Sequence, residues 1–116
     1  MQKPQEAEVR LLHAQVCQAL ADPTRILILY QLADGPKSVG ELAAALDTNQ
    51  PTVSRHLKIL RERGMATAER FGATVVYSLA DHRVIEALDL MRSLLADDLA
   101  QKSALAETLR VAHSES

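Results

Sequence analysis

The stretch from Gly35 to Gly64 is punctuated so closely that it leaves the chain little choice of fold. Gly35-Pro36 ends whatever precedes it, because Gly accepts a left-handed backbone and Pro cannot continue a helix. Ser38-Val39-Gly40-Glu41 then matches a capping box. In that motif the Ser38 hydroxyl accepts the N–H three residues on, and the Glu41 carboxylate reaches back to the Ser38 N–H. The short helix that follows carries Leu42 and Leu46. Asp47-Thr48-Asn49 is a turn of small polar residues. Asn49 can cap a second helix from Gln50 to Arg63, with Pro51 tolerated in its first turn and Gly64 as its stop. Val53, Leu57 and Leu60 line one face of it. Two short helices across a tight polar turn predict a helix-turn-helix.

The flanks complete the picture. Val9, Leu12, Val16 and Leu20 recur at helical spacing and predict a first helix from about Gln5 to Leu20. Asp22-Pro23 restarts the chain as N-cap and first helical residue. Ile26-Leu27-Ile28-Leu29-Tyr30 and Leu32 are apolar nearly all round, as in a central helix packed on several sides. A buried strand is the competing reading of so short a run, and the Asp-Pro start favours helix. After Gly64 the pattern switches to period two. Met65 to Arg70 and Thr74 to Leu79 read as a β-hairpin turning at Phe71-Gly72-Ala73. Asp81 can cap a long last helix from about His82 to Leu109, with Val84, Leu88, Met91 and Leu95 in one stripe, widened by Ile85, Leu94 and Leu99. The expected fold is mostly α with a two-stranded β-wing (α+β): a winged helix-turn-helix. Residues 1–116 are expected to form one domain, with 1–4 and 110–116 as flexible ends.

Composition removes whole classes. At 116 residues there is room for a single domain. With no Trp, one Phe and two Tyr, the core must be aliphatic. No apolar run approaches the roughly 20 residues that span a bilayer, and the first ten residues lack the apolar stretch of a signal peptide. The single cysteine, Cys17, makes neither an internal disulfide nor a multi-thiolate zinc site. A cytoplasmic protein with no membrane partner and no cofactor is expected.

The net charge of -2 leans away from nucleic acid until it is divided along the chain. Between residues 49 and 74, Arg55, Lys58, Arg61, Arg63 and Arg70 face only Glu62 and Glu69, while the segments on either side are acidic. The basic stretch therefore falls on the second helix of the helix-turn-helix and on the wing. With Val53, Leu57 and Leu60 turned inward, Gln50, Thr52, Ser54, Arg55, Lys58 and Arg61 are left outward. Gln pairs bidentately with adenine, Arg with guanine O6 and N7, and Ser or Thr with several partners. Lys58, Arg61 and Arg63, with Arg70 on the wing, suit phosphates, which position a protein without reading sequence.

At this point the residues carry a resemblance. Ala19-Leu20-Ala21-Asp22-Pro23-Thr24-Arg25, Glu41-Leu42-Ala43, the run Gln50 to Leu60 and Tyr77-Ser78-Leu79 closely resemble the ArsR/SmtB family of bacterial repressors, over about residues 9–98. The resemblance implies a winged-helix homodimer joined through its first and last helices. It also implies a repressor that leaves its operator when an inducer reshapes the dimer. It assigns base contacts to Gln50, Ser54 and Arg55. His56 matches a position the family often fills with His and is read as a packing and hydrogen-bonding residue. Similar proteins often carry several basic residues in the wing, whereas this hairpin has Arg70 beside Glu69.

The family's usual sensors do not fit. The helix from Val39 has no cysteine. The places of the last-helix zinc site are Asp81, Arg83, Leu94 and Asp97, which keep two carboxylates and no imidazole, and zinc favours His or Cys. The dithiol places correspond to Tyr30 and Ala96. His13 and Cys17, spaced i, i+4, remain as a candidate pair that would need Asp81 or His82 from a partner helix to hold a metal. Otherwise Cys17 is a small buried hydrophobe and His13 a surface residue. The expected partners are therefore an inverted-repeat DNA duplex, a second copy of the chain through Val9, Leu12, Val16, Val84, Leu88, Met91 and Leu95, and an unidentified inducer. Two alternatives stay open: a winged-helix protein-interaction module, and a metal or thiol sensor using His13 and Cys17. Catalysis is not expected, since Ser54 and His56 are two apart on one helix and do not face each other.

Overall fold

A computed structural model describes residues 2–114. The chain divides into two units, one ending at His82 and one beginning at Arg83.

The first unit opens with α1 (Glu6–Leu12), which leads into a π-helical turn (His13–Cys17) and a 3₁₀ turn (Ala19–Ala21). The sequence periodicity suggests one unbroken helix here, and the structure corrects that. The Gln18 N–H bonds the His13 carbonyl at 2.9 Å, five residues back. The freed carbonyls find donors elsewhere. Arg63 donates to the Ala14 carbonyl, and Arg25 donates Nε to Ala19 O at 2.7 Å and Nη2 to Gln18 O at 3.0 Å. These tertiary partners leave no trace in local periodicity.

Asp22 is extended and accepts the Thr24 N–H at 2.8 Å, starting α2 (Pro23–Ala33). This helix is central, as its apolar run implies: Ile28, Leu29 and Leu32 are buried. β1 (Lys37–Ser38) leads into α3 (Val39–Leu46) through a complete capping box, with Glu41 N–H to Ser38 Oγ at 3.2 Å and Ser38 N–H to Glu41 Oε1 at 3.0 Å. Hydrogen bonding from the Ser38 backbone N–H, then from the Ser38 side chain, holds the Glu41 carboxyl below its ordinary value. Asp47 closes α3 in the left-handed region at φ 50°, a conformation its short polar side chain tolerates. α4 (Gln50–Glu62) begins at Asn49, whose Oδ1 accepts the Thr52 N–H at 2.9 Å. Gly64, at φ 75°, reverses the chain after α4, and the Met65 N–H returns to the Leu60 carbonyl at 2.8 Å.

β2 (Ala66–Phe71) and β3 (Thr74–Leu79) form the wing. Its sheet has three antiparallel strands in the order β1-β3-β2, not two. Lys37 pairs with Tyr77 and Ser38 with Val76. A two-residue strand is too short to show alternation, so only the pairing reveals it. The core of this unit is aliphatic, as the composition requires: Ile28, Leu29, Leu42, Val53, Leu57 and Leu60 are its largest fully buried side chains. Each contributes roughly 1.5–3 kcal/mol on burial.

The second unit is α5 (Arg83–Ser114), 32 residues long, or about 48 Å at 1.5 Å per residue. It runs past the end near Leu109 that the sequence suggests, so residues 110–114 continue the helix. Residues 1, 115 and 116, assigned above to flexible ends, lie outside the described residues. No residue of α5 is buried within the chain. Leu90, Met91, Leu94, Leu95, Leu99, Leu105 and Leu109 are all exposed. Among the described residues, no helix is long and apolar enough to cross a membrane.

Candidate nucleic-acid interface

The interface is organised by the two faces of α4. Val53, Leu57 and Leu60 are fully buried against the core. At helical spacing this rotation leaves Gln50, Ser54, Arg55, Lys58 and Arg61 exposed and Thr52 half-buried. All six side chains expected to face DNA on this helix therefore share its outer half. In the free protein the Arg55 guanidinium rests on Thr52, with Nη2 donating to Oγ1 at 3.3 Å. A long, exposed bond of this kind is weak, so it holds the Arg55 guanidinium only loosely. The end of the Gln50 side chain lies over α3, with its Nε2 3.6 Å from the space a Cβ at Gly40 would occupy.

What orients α4 is a polar cluster on its inner edge. The Arg25 Nη1 meets His56 Nδ1 at 3.3 Å. A guanidinium can only donate, so the contact calls for Nδ1 as its acceptor. The ring Nε2 faces Asp22 Oδ1 at 3.9 Å. His56 thus links α4 to the start of α2 and does not face solvent as a base contact. Burial pushes the Asp22 carboxyl up, but the Thr24 N–H bond and the nearby His56 and Arg25 outweigh it, and the net shift is downward.

Between α4 and β2 runs a groove of about 580 Å³ lined by Lys58, Arg61, Glu62, Ala66, Thr67 and Ala68. Lys58 and Arg61 make its helical wall basic. Thr67, on the strand wall, is a hydroxyl that the sequence reading did not single out. Arg70 is exposed one residue before the end of β2, opposite Val75. Arg63 is placed differently from expectation: it is half-buried and donates to Ala14, so it ties the end of α4 to the π turn and does not face outward for phosphate. Only a tertiary partner distinguishes it from Arg61.

His13 and Cys17 are the first and last residues of the π turn, and the His13 ring meets the Gln18 side chain, five residues on, at 3.3 Å. Cys17 is free and exposed, not the buried hydrophobe it was otherwise expected to be. Among the described residues, no group of three or more His, Cys, Asp or Glu side chains is arranged to hold a metal ion.

The geometry can be set against known proteins. The profile of the bacterial regulatory protein, arsR family, matches residues 22–68, from the Asp22 cap to the first half of the wing. The HTH-type transcriptional regulator NmtR of Mycobacterium tuberculosis is 41% identical over 86 residues, which cover 74% of this chain and 72% of that protein. The chain belongs to the ArsR family. A second relative, the HTH-type transcriptional repressor SmtB of Mycobacterium tuberculosis, is 44% identical over 81 residues, 70% of this chain and 60% of the relative. A homodimeric winged helix-turn-helix DNA-binding domain from Mycobacterium bovis, a possible ArsR-family regulator, superimposes with a TM-score of 0.70 at 31% identity, covering 85% of this chain and 94% of that one. The helix-turn-helix and wing of this ArsR-family chain are thus those of a transcriptional regulator, not of an enzyme.

Proposed function

We infer that this protein is a dimeric transcriptional repressor that reads an inverted-repeat operator with α4. The observation that carries this is the division of that helix: three aliphatic residues fix it to the core, and an unbroken polar and basic face is left to solvent. Gln50, Ser54 and Arg55 read base edges in the major groove. Thr52, Lys58 and Arg61 hold phosphates beside them, with Arg70 on the wing. The N-terminus of α4 adds the attraction of a helix dipole for the backbone. Residues 1–116 act as one functional domain in the cytoplasm.

The second copy packs on apolar residues of the first and last helices. Val9, Leu12, Met91 and Leu95 are exposed, and Val16, Val84 and Leu88 are half-buried. Apolar area of this extent on a small chain marks an association surface. The dimer sets two α4 helices about 10 bp apart on one face of the duplex. Release is triggered by an inducer other than the metals that need clustered Cys or His.

The test is selection of bound duplexes from a random-sequence pool, followed by sequencing. An inverted repeat supports the reading. A pool that stays random sinks it, and points to a winged-helix module that docks proteins.

A further inference from the structure

The wing poses a problem that the recognition helix does not solve. Its strands carry one cation, Arg70, directly beside one anion, Glu69. With no net charge, the ribbon gains little from electrostatics beyond the single contact of Arg70. A fuller contact with DNA has to rest on something else, and the structure supplies a candidate at the tip.

Phe71, the only Phe of the chain, is the last residue of β2 and is 59% exposed. It pairs with Thr74, so the hairpin turns on only Gly72 and Ala73. Gly72 at φ 64° is the first of the two loop residues. A turn this short holds Phe71 at the end of a paired ribbon and not on a loose loop. Strand alternation sends Phe71 to the same face as Glu69 and Thr67, and Arg70 to the opposite face with Ala68 and Ala66. The tip therefore presents an aromatic ring on one side and a guanidinium on the other. That pairing suits a ribbon lying in the minor groove, where an arginine contacts the groove and an apolar wedge enters a base step. The base of the same strand lines the basic groove beside Lys58 and Arg61, so the ribbon springs from the phosphate-binding side of α4.

We propose that Phe71 is a DNA-contacting residue that wedges into the minor groove flanking the site read by α4. This rests on the DNA-binding reading above. The wedge favours flexible pyrimidine–purine steps, which unstack most easily. The chain has no Trp, so Phe71→Trp makes a single fluorescent reporter at the tip. The probe is the duplex that the wild-type protein recovers from a random pool, with binding followed independently by anisotropy of the labelled DNA. Tryptophan emission should be quenched as the duplex saturates. Phe71→Ala should bind about tenfold more weakly, with an unchanged salt slope and a smaller DNA bend in a circular-permutation assay. Saturated DNA with unchanged Phe71→Trp emission and full affinity of Phe71→Ala overturns the wedge while leaving DNA binding intact. Loss of the dimer in Phe71→Ala, at unchanged DNA affinity per dimer, overturns it too and assigns the ring to a protein interface. A random pool from which the wild-type protein recovers no preferred duplex refutes the parent reading instead.

Discussion

Removing Lys58 tests the electrostatic half of the interface quantitatively. Lys58 is exposed on α4 and lines the groove beside β2 together with Arg61. With Arg70, each protomer offers three cationic side chains to phosphate, and a dimer offers six; the neutral Thr52 releases no counterion. At about 0.9 per phosphate contact, the slope of log affinity against log salt is about -5.4 for the wild type. Lys58→Ala removes two contacts from the dimer and brings the slope to about -3.6. From about 50 to about 200 mM salt, wild-type affinity should fall by roughly 2,000-fold and that of the variant by roughly 150-fold. Anisotropy titrations of a labelled duplex at four or more salt concentrations measure both slopes. The base preference of the variant should not change, because a phosphate contact carries no sequence information. Arg10→Ala is the control: Arg10 is paired with Glu6 at 2.6 Å on α1, away from the reading helix in sequence and role. A Lys58→Ala slope equal to the wild type, or a fall matched by Arg10→Ala, refutes the placement of Lys58 on the backbone.

Asp22→Ala removes the cap of α2 and should cost about 0.5–2 kcal/mol in urea unfolding at neutral pH. Because folding lowers the Asp22 pKa, its contribution is present above the unfolded value of about 3.9 and is lost as pH falls through the lower folded value. The stability gap between wild type and Asp22→Ala should therefore close below about pH 4, and a gap that persists in acid contradicts the assignment. Leu95→Glu places a charge in the proposed association surface on an exposed site of α5. It should give monomers in sedimentation velocity with unchanged helix content by circular dichroism, and should lose operator binding. A dimeric Leu95→Glu protein removes Leu95 from the interface.

Much of this was legible in the residues because it is written locally. Caps and stops fix helix ends through hydrogen bonds made within a few residues, so Asp22-Pro23, Ser38 to Glu41, Asn49 and Gly64 mark real boundaries. Burial follows periodicity, so the inner and outer faces of α4 could be assigned without coordinates. What stayed hidden depends on groups distant in sequence. The π turn at His13–Cys17 is held by Arg63 and Arg25, so the break in the first helix does not show in the spacing. β1 exists only as a partner of β3. Arg63 and Arg61 look alike as letters, yet one is turned inward to a carbonyl and the other outward to solvent. Phe71 did carry a signal, as a lone aromatic next to a turn glycine, but its exposure needed the two-residue turn to be seen.

The central claim is that the outer face of α4 reads DNA bases, and Arg55 tests it most directly. Wild type and Arg55→Ala should each be taken through selection from the same random duplex pool, with affinities then measured on the recovered sites. The wild type should recover an inverted repeat with half-sites about 10 bp apart. Arg55→Ala should bind that repeat about 1–3 kcal/mol more weakly and accept any base at one position of each half-site. An Arg55→Ala protein that recovers the same repeat with the same affinity would contradict the account.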